Sequence, residues 1–110
     1  KFVTNNILFE TGKATLKAES MTEIEKVADY MKKNPRVRFE VQGHTDNQGS
    51  DKINDPLSQQ RAEAVVKALA DLGVDDFNLK AMGKGSHEPV ADNKTEEGRA
   101  KNRRVEFIKK

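Results

Sequence analysis

The interval between apolar residues switches from helical to strand-like at Asn34-Pro35, and this switch constrains the fold more than any other feature of the sequence. Upstream, Met21, Ile24, Val27, Ala28 and Met31 recur at helical spacing, with Lys32 and Lys33 in the last turn. Downstream, Arg36-Val37-Arg38-Phe39-Glu40-Val41-Gln42-Gly43 alternates strictly, which predicts a strand with one face buried and the other wet. A second helical stripe follows at Ala62, Val65, Val66, Leu69 and Leu72, with Gly73 as its C′ residue. Asn6–Glu10, bounded by Asn5-Asn6 and Thr11-Gly12, reads as a first strand. Asn78–Gly83 reads as a third and Arg104–Ile108 as a fourth. Positions 44–56 form a polar loop, and Gly83 to Gly98 is mostly loop.

The order β-α-β-α-β-loop-β implies two crossover units, which should be right-handed. The expected fold is a two-layer α/β (α+β) sandwich. Its four-stranded sheet is mixed, with the helices on one face and no helix layer on the other. No internal repeat or linker divides the chain, so residues 1–110 form a single domain.

Composition agrees with one modest core. Leu, Ile, Val and Phe together supply 24 of 110 residues, while charged residues make up 35%. Apolar runs such as Ile7-Leu8-Phe9 are too short to span a bilayer or to serve as a secretory h-region. The chain opens on Lys1 rather than Met, as an excised or processed piece of a longer protein would. With no cysteine there is no disulfide framework, no thiolate metal site and no Cys nucleophile. A formal net charge of +2 gives no general attraction to nucleic acid or anionic lipid.

Most motifs with chemical potential fail on inspection. Gly12-Lys13-Ala14-Thr15 lacks the first glycine of a P-loop, and Gly83-Lys84-Gly85-Ser86 does not open a helix. Asp46 to Asp51 suggests a calcium loop, but Gly49 sits too early and no Glu closes it. His44 and His87, the only two histidines, would need carboxylates to complete a zinc site, so no metal is expected. A Ser58-His44-Asp46 triad can be drawn, yet Ser58 reads better as a helix N-cap after Pro56-Leu57. The basic residues of the C-terminal segment have a single aromatic among them, Phe107, which the strand alternation turns inward, so no base-stacking platform is expected.

One arrangement stands apart. With Ser58 as N-cap, Arg61 falls in the first helical turn, where a cation is disfavoured by about 0.3–1 kcal/mol and calls for an anion. Asp46, at the end of the second strand, can supply that anion in a plain ion pair that orders the loop. Alternatively the two residues define a zwitterion site. Arg61 and the helix N-terminus would then hold a carboxylate, and Asp46 an ammonium. A carboxylate and an amine on one carbon describe an amino-acid head group. Arg103 shares strand parity with Val105 and Phe107 and should face the helix side or its rim. Arg104, of opposite parity, reads as a solvated charge on the open face.

These residues also carry a resemblance. His44-Thr45-Asp46-x-x-Gly49-Ser50 and Asn54-x-x-Leu57-Ser58-x-x-Arg61-Ala62 resemble the signature of the OmpA-like C-terminal domain family. Gly83-x-Gly85-x-x-x-Pro89, Asn93 and Arg99-x-x-Asn102-Arg103-Arg104-Val105-Glu106 resemble its closing segments, so the likeness runs from about Ile7 to Ile108. The resemblance implies a noncovalent peptidoglycan binder, not an enzyme, that grips the diaminopimelate of the stem peptide. Asp46 would take the ammonium and Arg61 the carboxylate, while Thr45, Asn54 and Arg103 match positions lining the same pocket. It implies no metal or cofactor. It also implies a periplasmic location, with the domain anchoring an outer-membrane or envelope protein to the wall of a Gram-negative cell. Any membrane attachment would lie in a segment outside this chain, and other envelope proteins are possible partners. The alternative is an envelope protein–protein interaction domain with a vestigial pocket. Two departures from the family pattern are Gly12, where some members use an Asn, and Ile53, where a Tyr is frequent.

Overall fold

The computed structural model describes residues 1–110. Its elements are β1 (Phe2–Thr4), α1 (Met21–Lys33), β2 (Phe39–His44), α2 (Asp51–Asp71), β3 (Leu79–Gly85), α3 (Glu96–Asn102) and β4 (Arg104–Lys109). The sheet order is β1-β4-β2-β3, with β2 and β3 parallel and β4 antiparallel to both β1 and β2. This is the mixed four-stranded α+β architecture expected from the succession of periods.

The apolar stripes meet where the periodicity places them. Ile24, Val27, Ala28 and Met31 of α1 join Ala62, Val65 and Leu69 of α2 against Phe39 and Val41 of β2 and Val105 and Phe107 of β4. Burial of these side chains drives the assembly, at about 1.5–3 kcal/mol for each large one. Two glycines let α2 lie directly on the sheet. A Cβ at Gly43 would sit 2.5 Å from the Ser58 carbonyl oxygen, and one at Gly83 would sit 2.4 Å from the Gln59 nitrogen.

Four expectations are corrected. The first strand of the sheet is Phe2–Thr4, not Asn6–Glu10. Residues 6–10 instead run alongside the start of α1, where Ser20 Oγ both accepts from the Leu8 N–H (2.7 Å) and donates to the Leu8 carbonyl (2.9 Å). Phe9 bridges Leu16, so this segment forms a local loop whose Ile7 still enters the core. Next, α2 begins at Asp51, so the loop predicted over 44–56 is only half as long and Pro56 lies inside the helix. Pro56 sits within the second turn, where its missing N–H removes a single hydrogen bond. Ser58 is therefore not an N-cap. It is fully buried, donating to the Asp55 carbonyl (2.8 Å) and accepting from the Gly85 N–H (2.9 Å), which pins β3 onto α2.

Third, the segment after β3 contains α3, capped by Thr95, whose Oγ accepts from the Gly98 N–H at 3.0 Å. Finally, the face of the sheet without helices is not wet. Glu40, Gln42 and His44 of β2 and Arg104 and Glu106 of β4 are all buried. Their register places Gln42 opposite Glu106 and His44 opposite Arg104. Arg104 Nε donates to Glu106 (2.6 Å) and its Nη atoms donate to the Asn102 and Glu88 carbonyls (3.0 and 2.9 Å). Arg104 is thus a buried, fully engaged cation rather than a solvated one. Long polar side chains on neighbouring strands shield one another, so polar alternation does not imply exposure.

Candidate functional site

A cleft of about 410 Å³ opens where the segment 7–12 faces the ends of β2 and β4 and the side of α2. Phe9 and Gly12 form one wall, while Asp46, Arg61 and Arg103 bring charge to it. Asp46 follows β2 directly and is buried. One carboxylate oxygen accepts from the Gln48 N–H at 2.9 Å, which folds the loop over it, and the other accepts from Arg103 Nη1 at 2.6 Å. Arg103 ends α3 and enters the cleft from the start of β4, in keeping with the parity expected for it.

Arg61 makes no ion pair with Asp46, so the plain pair considered from sequence is absent. Nor is Arg61 in a first turn, since α2 starts at Asp51 and the dipole argument does not apply. Its Nε donates to the Lys13 carbonyl at 2.9 Å and its guanidinium lies 4.9 Å from the centroid of the Phe9 ring. Both contacts orient the fork while leaving its charge unmatched by any salt-bridged carboxylate. Burial holds the guanidinium below its ordinary pKa, and the Asp46 carboxylate pulls the other way.

The cleft thus offers a buried anion and a cation with no carboxylate partner, both held by neighbouring backbone.

Gly12 adopts φ +69°, a left-handed conformation, and a Cβ there would meet nothing within 4 Å. Thr45 and Asn54 lie outside the cleft lining. Thr45 Oγ donates to the Asp46 carbonyl (2.8 Å), and Asn54 Nδ2 donates to the Gln48 carbonyl (2.9 Å). In this structure they hold the 45–49 loop in shape. Ile53 projects from the first turn of α2 and is 62% exposed.

The structure adds Glu96, which sequence reasoning missed. Its carboxylate sits 2.6 Å from Arg103 Nη2, so the Arg103 fork is shared between Asp46 and Glu96. Bonding to Arg103 holds the Glu96 carboxyl below the usual carboxylate range, and the same bond raises Arg103 above its own. Thr95-Glu96-Glu97 is an N-cap followed by two acids, a helix-start signal that could have revealed α3.

No catalytic triad forms. Ser58 Oγ is engaged by Asp55 and Gly85, His44 Nε2 faces Gln42 at 3.1 Å, and Asp46 is held by Arg103 and Gln48. Asp51, Asp55 and His87 bring ligating atoms within 4.8 Å of one another on the surface, where His87 Nε2 is 2.8 Å from Asp55.

Fold and cleft together describe a small α+β domain with a charged cleft, and comparison with known proteins places it. The chain matches the OmpA family over residues 8–103 and belongs to that family. It is 44% identical over 102 residues to outer membrane porin F of Pseudomonas aeruginosa, a match covering 92% of this chain and 29% of the porin. It is equally 44% identical over 102 residues to the peptidoglycan-binding protein ArfA of Mycobacterium tuberculosis, covering 93% of this chain and 31% of ArfA. The chain therefore spans about a third of the length of these relatives. Among solved structures, the peptidoglycan-associated lipoprotein of Burkholderia pseudomallei superposes with a TM-score of 0.87 at 32% identity. That match covers all of this chain and 91% of the other. These relatives are a porin, a wall-binding protein and a lipoprotein; none is named as an enzyme.

Proposed function

We propose that this domain binds peptidoglycan noncovalently and anchors the protein that carries it to the cell wall, from the periplasmic side of the envelope. The observation that carries the reading is the cleft itself, where the Asp46 carboxylate and the Arg61 guanidinium face one ligand-sized space. An amino-acid head group presents the complementary pair, an ammonium for Asp46 and a carboxylate for the Arg61 fork. In a stem peptide, the side chain of diaminopimelate ends in such a head group. The names of the relatives, a peptidoglycan-binding protein and a peptidoglycan-associated lipoprotein, support the same reading. Arg103 lines the pocket directly, and Thr45 and Asn54 serve it by shaping the 45–49 loop. Recognition needs only charge-assisted hydrogen bonds, so neither metal nor cofactor enters.

Lysine in the same stem position ends in an amine without a carboxylate. Binding it would desolvate Arg61 and leave it unpaired, so the diaminopimelate type is favoured. The test is an NMR titration of the labelled domain with a diaminopimelate muropeptide and, in parallel, its lysine equivalent. Saturable shifts at residues 9–13, 44–48, Arg61 and Arg103 with diaminopimelate alone are the expected result. No shifts with either ligand would overturn the proposal.

A further inference from the structure

The cleft raises a problem of competition. An ammonium arriving at Asp46 meets an oxygen already held by Arg103 Nη1 at 2.6 Å. Two cations would then share one buried carboxylate. The structure contains the counterweight: Glu96 takes Arg103 Nη2 at 2.6 Å and lies 3.5 Å from Nη1. Exposure grades outward along this chain of charges, with the side chains of Asp46, Arg103 and Glu96 exposed by 9%, 40% and 65%. Glu96 thus grips Arg103 from the mouth of the cleft while Asp46 holds it from within.

We propose that Glu96 is a positioning residue that sets the amine selectivity of the cleft by holding the Arg103 fork open between two carboxylates. With Glu96 present, Arg103 spends one arm on each acid, and Asp46 keeps acceptor capacity for an incoming ammonium. The four groups Asp46, Glu96, Arg61 and Arg103 then sum to zero charge, which suits a zwitterion. Without Glu96, the planar guanidinium is free to close on Asp46 in a two-bond pair. Arg103 then competes with the ammonium and repels it. This inference rests on the peptidoglycan reading above and adds a residue that the signature motifs do not include.

The experiment compares Glu96→Gln with wild type against two ligands: a diaminopimelate muropeptide, and the same muropeptide acetylated on its side-chain amine. Glu96→Gln should bind the free-amine ligand about fivefold more weakly, on the scale of one partly exposed ion pair, and the acetylated ligand no more weakly than wild type does. Glu97→Gln is the control, because Glu97 shares the charge and the helical turn but forms no ion pair with Arg103. It should bind both ligands as wild type does, and Glu96→Asp should recover most of the lost affinity. Unchanged free-amine binding by Glu96→Gln, or an equal loss for both ligands, would overturn the positioning role while leaving the cleft reading intact. A wild-type domain that binds neither ligand would overturn the cleft reading and this inference together. The amide spectrum of each variant verifies folding, since Glu96 is solvent-exposed and outside the core.

Discussion

Replacing His44 with Gln should flatten the acid limb of the domain's stability curve. Gln42 donates its Nε2 proton to Glu40 at 2.6 Å, so its Oε1 is the atom that faces His44 Nε2 at 3.1 Å. The His44 proton therefore resides on Nε2, and the bare Nδ1 is buried with no hydrogen-bond partner. Burial, reinforced by the adjacent Arg104 cation, pushes the imidazole down from 6.5 to about 4. The unfolded chain then takes up a proton between these values that the folded chain refuses. The histidine's contribution to stability must therefore fall as pH drops below 6.5 and level off below about 4. Linkage over that interval costs the wild type about 3 kcal/mol by pH 4, a large fraction of the stability of a domain this size. The depressed carboxylates of Glu23, Glu40 and Glu106 have the opposite window. Their contribution is complete above the ordinary carboxylate range and is lost only as pH falls through their lowered values. Urea unfolding followed by circular dichroism at pH 7, 6, 5 and 4.5 isolates the histidine. Glutamine keeps a donor for Gln42 but does not titrate, so the gap between wild type and variant should narrow steadily on acidification. Parallel curves from pH 6.5 to 4.5 would refute the buried, neutral state of His44.

Asp46→Ala should abolish pull-down by purified sacculi while costing about 2 kcal/mol of stability, for the lost bonds from the Gln48 N–H and from Arg103, whose guanidinium keeps Glu96 as a partner, measured by chemical unfolding. Arg61→Ala should likewise abolish pull-down. It should also destabilise the domain by about 1 kcal/mol, because the bond to Lys13 and the stacking on Phe9 are lost. Gly83→Ala should lower stability by about 3 kcal/mol, since its Cβ collides with the α2 backbone at Gln59, and a thermal melt would detect it. Gly12→Asn places an amide at the cleft edge in a left-handed conformation that Asn tolerates. It should cost less than about 1 kcal/mol and tighten muropeptide binding, measured by calorimetry.

Much of this protein follows from local pattern. The stripe Ile24–Met31, the alternation after Pro35, the stripe Ala62–Leu72 and the alternation from Arg104 onward each name their element, because side-chain direction repeats with backbone period. The succession of those periods was enough for the layered mixed-sheet architecture. The combination of Asp46 and Arg61 as opposite charges near one loop was legible as well, and the structure brings both to a single cleft.

Other features had no local signature. Phe2–Thr4 is too short to show a period, and its place at the sheet edge comes from pairing with β4, about a hundred residues away. The apolar run at Ile7–Phe9 has the composition of a strand, but Ser20 claims its backbone bonds. Sheet register turned the polar face of β2 and β4 into a buried network by setting Gln42 against Glu106 and His44 against Arg104. Register also chose the partner of Asp46, which is not Arg61, fifteen positions along the chain, but Arg103 at a separation of 57. Local pattern was enough for α1, β2, the body of α2, β3 and β4, and for the charges that lie near the loop, because those depend on neighbours a few residues apart. Which carboxylate meets which guanidinium was decided only when the strands aligned, because an ion pair is fixed by distance in space.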